Sequence, residues 1–518
     1  MPRSTWFSAL LLFVALWVPV SQADTGWQPL AETIRKSDKD TRQYQAVRLD
    51  NGMVVLLVSD PQAVKSLSAL VVPVGSLEDP DDHQGLAHYL EHMCLMGSKK
   101  YPQPDSLAEF LKMHGGSHNA STAPYRTAFY LEVENDALVG AVDRLADAIA
   151  DPLLDKKYAD RERNAVNSEL TLARTRDGMR MAQVSAETIN PAHPGSRFSG
   201  GNLETLSDKP GNPVVQALQK FHEKYYSANL MKAVIYSNKP LPELARIAAD
   251  TFGRVPNRNI EKPEITVPVV TDAQKGIIIH YVPAMPRKVL RVEFRIDNNS
   301  AQFRSKTDEL VTYLIGNRSP GTLSDWLQKQ GLVEGIRADS DPVVNGNSGV
   351  LAISATLTDK GLANRDEVVA AIFSYLNLLR EKGVDKRYFD ELAHVLDLDF
   401  RYPSKYGRRG HFFPRPGDNR RRRGQIAISF DTGEEARVLT GYVDSSALQA
   451  VSPLAISLYN LIHIAIFVHF RYRIAINHFF ALMSVSLSGS SHRLLGVDRV
   501  VCGRLCEIRN FYAQSYIR

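Results

Sequence analysis

Apolar positions along the chain recur at two periods, two and about three and a half residues, and each marks a different kind of element. Asn51-Gly52 lies between apolar runs ending at Leu49 and starting at Met53, which predicts a β-hairpin. A second β-rich run covers 67–74. Leu86, Leu90 and Met93 then fall on one face of a helix that Gly97 should stop. Asp105 is the expected N-cap of a short helix over 107–113, closed by Gly115-Gly116. The polar stretch 117–122 leads into a predicted strand over 127–133. An amphipathic helix carrying Leu138, Val142, Leu145 and Ile149 runs from Asp136 to Pro152. One long helical stretch is expected over about 155–189, and the Gly-, Pro-, Ser- and Asn-rich segment 191–213 reads as a long surface loop. Helix and strand signals resume to about Phe252-Gly253. Asn257 to Gln274, with Pro263 and Pro268, reads as an interdomain linker. The run 276–282 is expected to open a second domain as a strand. Its counterpart helix, near Thr307 to Ile315, carries no histidine pair.

A chain of 518 residues suffices for roughly two to four domains. With 44% hydrophobic and 23% charged residues, composition excludes a disordered class. The net charge of +5 is unevenly placed. Residues 405–518 hold 16 Lys and Arg against 7 Asp and Glu, while residues 1–404 hold 46 against 50, so the basic balance belongs to the tail and gives no warrant for a nucleic-acid partner. Of the tail's 16 basic residues 15 are arginine, where the first 404 residues use 21 lysines and 25 arginines. So abrupt a change reads as sequence foreign to what precedes it, as a shifted reading frame would produce. The tail's apolar stretch 454–470 is short and interrupted by Asn460, His463 and His469, which argues against a membrane span. Cys502 and Cys506 with His492 make at most a weak metal pattern. At the other end, Arg3, the apolar run 6–18 and Ser21-Gln22-Ala23 read as a secretory signal peptide cleaved after Ala23. No stable membrane partner is expected.

The chemistry concentrates in His88-Tyr89-Leu90-Glu91-His92. On a helix, positions four apart stack one turn above each other, so His88 and His92 share a face and can bind one zinc ion. Glu91 lies on the same side, within reach of a metal-bound water, and the order H-x-x-E-H is that of the inverted zincins. The same five residues also describe two surface histidines beside a chance glutamate. Cys94, in the same helix, reads as a packed thiol rather than a nucleophile. Glu162 and Glu169 are seven apart and lie on one helical face, which by itself also describes a solvated charged surface beside Arg161, Arg163, Arg174 and Arg176.

Taken together, Gly85-Leu86-Ala87-His88-Tyr89-Leu90-Glu91-His92-Met93, the stretch from Glu162 to Glu169, Asn190-Pro191-Ala192-His193-Pro194 and Gly201-Asn202-Leu203-Glu204-Thr205-Leu206 resemble the pitrilysin family over residues 24–404. This family of zinc endopeptidases includes insulin-degrading enzyme and the mitochondrial processing peptidases. The resemblance implies an α+β fold of tandem two-layer domains, each a mainly antiparallel sheet packed against helices. It also implies one zinc ion per chain held by His88, His92 and Glu169, with Glu91 as general base and Glu162 as a supporting carboxylate. Asn119 and Ala120 would pair with an extended substrate backbone, and His118 would be a rim or structural residue. The implied division is a signal peptide over 1–23, a catalytic domain over 24–256, a linker over 257–274, an incomplete non-catalytic domain over 275–404, and a tail over 405–518 outside the family. Peptides and small proteins are the implied substrates and the periplasm the implied compartment. Relatives carry a second half that supplies an arginine and a tyrosine to the substrate, and nothing after Ser404 matches it. The alternative is therefore a truncated homologue that binds zinc and peptide without turnover.

Overall fold

Asn51 explains why the chain reverses where it does. Its amide donates to the carbonyls of Phe252 (2.8 Å) and Val255 (2.9 Å), while its Oδ1 accepts from Met53 N–H (3.1 Å). Gly52 takes the left-handed conformation that the turn requires (φ +85°). The computed structural model describes residues 25–31 and 34–402, together with the backbone of two short paired strands at Ala427–Ser429 and Arg437–Leu439. The leader expected over 1–23 and, apart from those strands, the tail expected over 405–518 lie outside the described residues.

In chain order the elements are β1 (Trp27–Pro29), β2 (Gln43–Leu49), β3 (Val54–Ser59), β4 (Lys65–Val72), α1 (Leu86–Cys94), α2 (Ser106–Met113), β5 (Ser117–Ala123), β6 (Arg126–Glu134), α3 (Leu138–Ala150), α4 (Lys156–Ala173), α5 (Asp177–Glu187), α6 (Val214–Tyr225), β7 (Lys232–Ser237) and α7 (Leu241–Thr251). They continue with β8 (Val289–Asp297), α8 (Thr307–Ile315), α9 (Leu323–Lys329), β9 (Val333–Asp341), β10 (Ser348–Leu357), α10 (Asp359–Ala363), α11 (Arg365–Lys382) and α12 (Lys386–Arg401).

The first sheet runs β1-β2-β3-β7-β4-β6-β5 and is antiparallel except where β3 and β7 pair in parallel. Every residue of β3 is buried. Val55 and Leu57 face the main core, shared with Leu86, Leu90 and Met93 of α1, Val142 and Leu145 of α3, and Leu218 and Phe221 of α6. Leu56 and Val58 face the other way, into a smaller cluster with Leu67, Val234 and Tyr236. Each fully buried aliphatic side chain contributes about 1.5–3 kcal/mol, so the apolar face of α1 is what seats that helix on the sheet. The second sheet, β8-β10-β9, is wholly antiparallel, and Leu310 and Leu314 of α8 pack there against Leu392 and Leu396 of α12. The architecture is the α+β arrangement expected. Among the described residues no helix is long and apolar enough to cross a membrane.

Three local expectations are corrected. No strand forms over 276–282: Ile277, Ile278, Ile279 and Val282 are exposed, and the second sheet opens at β8 instead. A β-branched run supplies propensity, but a strand exists only where a partner lies alongside it. The helical stretch over 155–189 is two helices, broken between Ala173 and Asp177 where Arg176 turns extended (φ −108°, ψ 117°). Asp105 stands at the N-cap position of α2 but in the left-handed region (φ +58°), and its carboxylate makes no cap. It lies instead 3.4 Å from Nη2 of Arg161.

Asp143 of α3 ties together parts of the first unit, the seven-stranded sheet with helices α1–α7. It accepts from Lys100 Nζ (2.6 Å), the Tyr101 hydroxyl and the Arg254 guanidinium. Burial alone would raise its carboxyl pKa, but these donors outweigh it and bring the carboxyl down to about 2, from 3.8. A lowered folded pKa means that the native state favours the charged form. Its stabilisation is complete above about pH 4 and is lost as pH falls towards 2. Asp143→Asn should therefore lower the melting temperature at pH 7, and the gap to the parent should close by pH 2, as thermal melts at the two pH values would reveal.

Candidate metal centre

Helix α1 begins without a side-chain cap of its own. Gly85 occupies the N-cap in the left-handed conformation (φ +92°), and the buried Asp79 carboxylate, six residues upstream, accepts from Gly85 N–H (2.8 Å) and Ala87 N–H (2.7 Å). Two of the helix's orphan donors are thus satisfied, although burial raises the Asp79 carboxyl to about 7 against the pull of those two N–H groups. Gly85 is also where the loop 191–213 lands. A Cβ on Gly85 would lie 2.2 Å from the Cα of Gly201, so only glycine permits this approach. At the middle of α1 the Tyr89 hydroxyl donates to the Ala159 carbonyl (2.5 Å) and fastens α1 to α4.

That fastening brings two carboxylates of α4 to the histidines. His88 Nδ1 pairs with the Gly200 carbonyl (2.8 Å) and His92 Nδ1 with Glu162 Oε2 (3.3 Å). A carbonyl and a carboxylate both accept, so each Nδ1 carries the hydrogen and each Nε2 presents a lone pair. Both lone pairs face Glu169: His88 Nε2 lies 3.5 Å from its Oε2, and His92 Nε2 3.7 Å from its Oε1. One ligand atom from each of the three residues lies within 4.8 Å of the others, and among the described residues this is the one such group. For bonds of about 2.1 Å, the edge of a tetrahedron is about 3.4 Å. Two imidazoles and a carboxylate at these separations fit a single zinc-sized cation.

The surrounding charges agree with that geometry. Burial opposes a charge on His88, yet the Glu169 carboxylate, which would accept from a protonated Nε2, and the nearby Glu91 more than compensate, so its pKa is raised. Glu169 is lowered, chiefly by His88. In Glu162 burial is outweighed by His92 and by Arg161, whose Nε donates to its Oε1 (2.8 Å), so that carboxyl is also lowered. Proton-like charge is what this pocket attracts.

Glu91 is 6% exposed, and burial pushes its carboxyl up despite the two histidines. Its Oε2 accepts from the Thr122 hydroxyl (2.5 Å). Thr122 lies on β5, which among the described residues pairs only with β6 and so forms one edge of the first sheet. Asn119 is exposed on this strand, while Ala120 packs partly into the core. His118, whose pKa burial lowers, stands on the same strand outside the converging trio. Cys94 is fully buried and its thiol pKa is pushed up, which removes it as a nucleophile. The sequence reading missed Thr122, Asp79 and the Gly200 carbonyl. Asp79 ahead of a helical pattern was a usable signal, whereas a backbone carbonyl leaves none.

The insulinase family (peptidase family M16) matches residues 54–192, and the peptidase M16 inactive domain matches residues 214–396. Over 404 residues the chain is 90% identical to Protease 3 of Escherichia coli (strain K12), which covers 78% of this chain and 42% of that protein. It is 35% identical over 375 residues to the insulin-degrading enzyme of Drosophila melanogaster, covering 72% and 38%. The crystal structure of pitrilysin superposes with a TM-score of 0.73 at 89% identity, over 74% of this chain and 41% of that one. The chain thus spans less than half the length of the curated relatives it matches. By both matched domains and by its likeness to these relatives, it belongs to the insulinase, or M16, peptidase family.

Proposed function

We propose that this chain is a zinc metalloendopeptidase that hydrolyses peptides and small proteins. The observation that carries the reading is the convergence of two imidazole lone pairs and the Glu169 carboxylate, with the buried Glu91 one residue before His92. His88, His92 and Glu169 would hold one zinc ion. Such an ion would supply Lewis acidity, activating water near neutral pH and polarising a peptide carbonyl. Glu91 takes the proton of the attacking water and passes it to the leaving amine, a task suited to a carboxylate whose pKa burial has raised. Glu162 and the Gly200 carbonyl hold the two imidazoles in the required tautomer. The edge that β5 forms among the described residues, at Asn119 and Ala120, takes an extended peptide by backbone pairing.

We assign the catalytic domain to 24–256, the linker to 257–274 and an incomplete partner domain to 275–404. The leader-like residues 1–23 support export to the periplasm. Since the chain spans 42% of Protease 3, the rival reading is metal and peptide binding without turnover, and one experiment separates the two.

Purified full chain, loaded with zinc, should cleave a quenched peptide, and chelation followed by zinc should remove and restore that activity. Glu91→Gln should keep one zinc per chain but lose about 10²–10⁴-fold in turnover, whereas Glu169→Gln should lose the metal itself. Zinc bound by the parent with no cleavage establishes the rival reading. Glu162→Gln should bind zinc about 10–100-fold more weakly, measured by competition with a chromogenic chelator.

A further inference from the structure

Glu91 carries the proton-transfer role proposed above, and the following inference rests on that assignment. Among the described residues its carboxylate has one hydrogen-bond donor, the Thr122 hydroxyl at 2.5 Å. A buried side chain with a single donor owes its orientation to that donor.

Thr122 is itself firmly placed. Along β5 exposure alternates, with Asn119 and Ser121 exposed and Ala120 and Thr122 partly buried, so the hydroxyl side chain and Ala120 share the less exposed face of the strand. Thr122 pairs in register with Thr127 of β6, whose own hydroxyl donates to the Val74 carbonyl (3.0 Å). Just past Thr122 the chain is wedged. The Pro124 carbonyl accepts from Leu77 N–H (2.9 Å), and the Ala123 carbonyl lies so close to Gly75 that a Cβ there would be 1.9 Å from it. The donor is therefore fixed by the sheet and not by the helix that carries the acceptor.

We infer that Thr122 is a positioning residue for the general base: it holds Oε2 of Glu91 and leaves the other carboxylate oxygen to exchange the proton. The same edge strand then serves two purposes. Its backbone near Asn119 and Ala120 receives the peptide, and two residues on from Ala120 a side chain orients the group that activates water. A peptide seated on β5 is thereby brought into register with the base.

The test uses the full chain with Thr122→Val, which keeps shape and strand propensity but removes the donor, and Thr122→Ser, which restores it. Thr122→Ala stands in if the valine variant does not fold. With peptide substrate, Thr122→Val should lower kcat about 10–100-fold, as expected for losing a bond to a charged group. KM and zinc content should stay close to the parent's, and Thr122→Ser should recover most of kcat. Independently of turnover, the infrared carboxylate band of Glu91, identified from the difference between parent and Glu91→Gln, should shift in Thr122→Val and return in Thr122→Ser. An unmoved band in Thr122→Val, or a kcat within twofold of the parent's, overturns the inference. If the parent itself does not cleave peptide, the peptidase reading fails for this chain, and the infrared band alone decides the placement of Glu91.

Discussion

Two hydrogens on two imidazoles govern this structure. Because the Gly200 carbonyl and Glu162 engage the Nδ1 atoms of His88 and His92, the Nε2 lone pairs are turned toward each other's neighbourhood and toward Glu169. Three electron-rich groups pointed into one small volume repel one another unless a positive charge joins them. The rest of the first unit serves to hold that unfavourable arrangement in place. The apolar face of α1 is sunk in the main core, the Tyr89 hydroxyl binds α1 to α4, and the Gly85–Gly201 contact brings the Gly200 carbonyl up to the helix start.

Each of those supports comes from a different part of the chain, and they hold the site without enclosing it deeply. Glu169 remains largely exposed, whereas Glu91 and Glu162 are buried. The acids thus differ in surroundings more than in chemistry. Burial raises Glu91, and hydrogen bonding lowers Glu162 and Glu169. Under the mechanism proposed, the raised carboxylate would exchange a proton while the two lowered ones stay charged.

Much of this was legible in the sequence because it depends on helical periodicity. The i, i+4 spacing of His88 and His92 and the seven-residue spacing of Glu162 and Glu169 place side chains on one face whatever the tertiary context. What escaped depends on neighbours distant in sequence. β5 is polar apart from Ala120 and Ala123 and shows no apolar alternation, since as an edge strand it buries only part of one face, so neither the strand nor Thr122 stood out. The run over 276–282 had the opposite character, with apolar residues but no partner strand, and propensity misled there. Asp105 looked like a cap, but an ion pair with Arg161, 56 positions away, claims its carboxylate.

The parallel pairing of β3 with β7 carries a consequence for how the chain acquires this site. Val54 aligns with Lys232, about 180 positions later, and both α1 and α4 lie within the loop that this pairing closes. Contacts so distant along the chain form late, because the entropy of closing the loop must be met before they stabilise anything. Without β7 the middle of the sheet lacks a strand, and α1 lacks part of the floor it packs on, which Ala233 and Ile235 supply. The geometry in which the histidines meet Glu169 therefore depends on a strand that contributes no ligand to it.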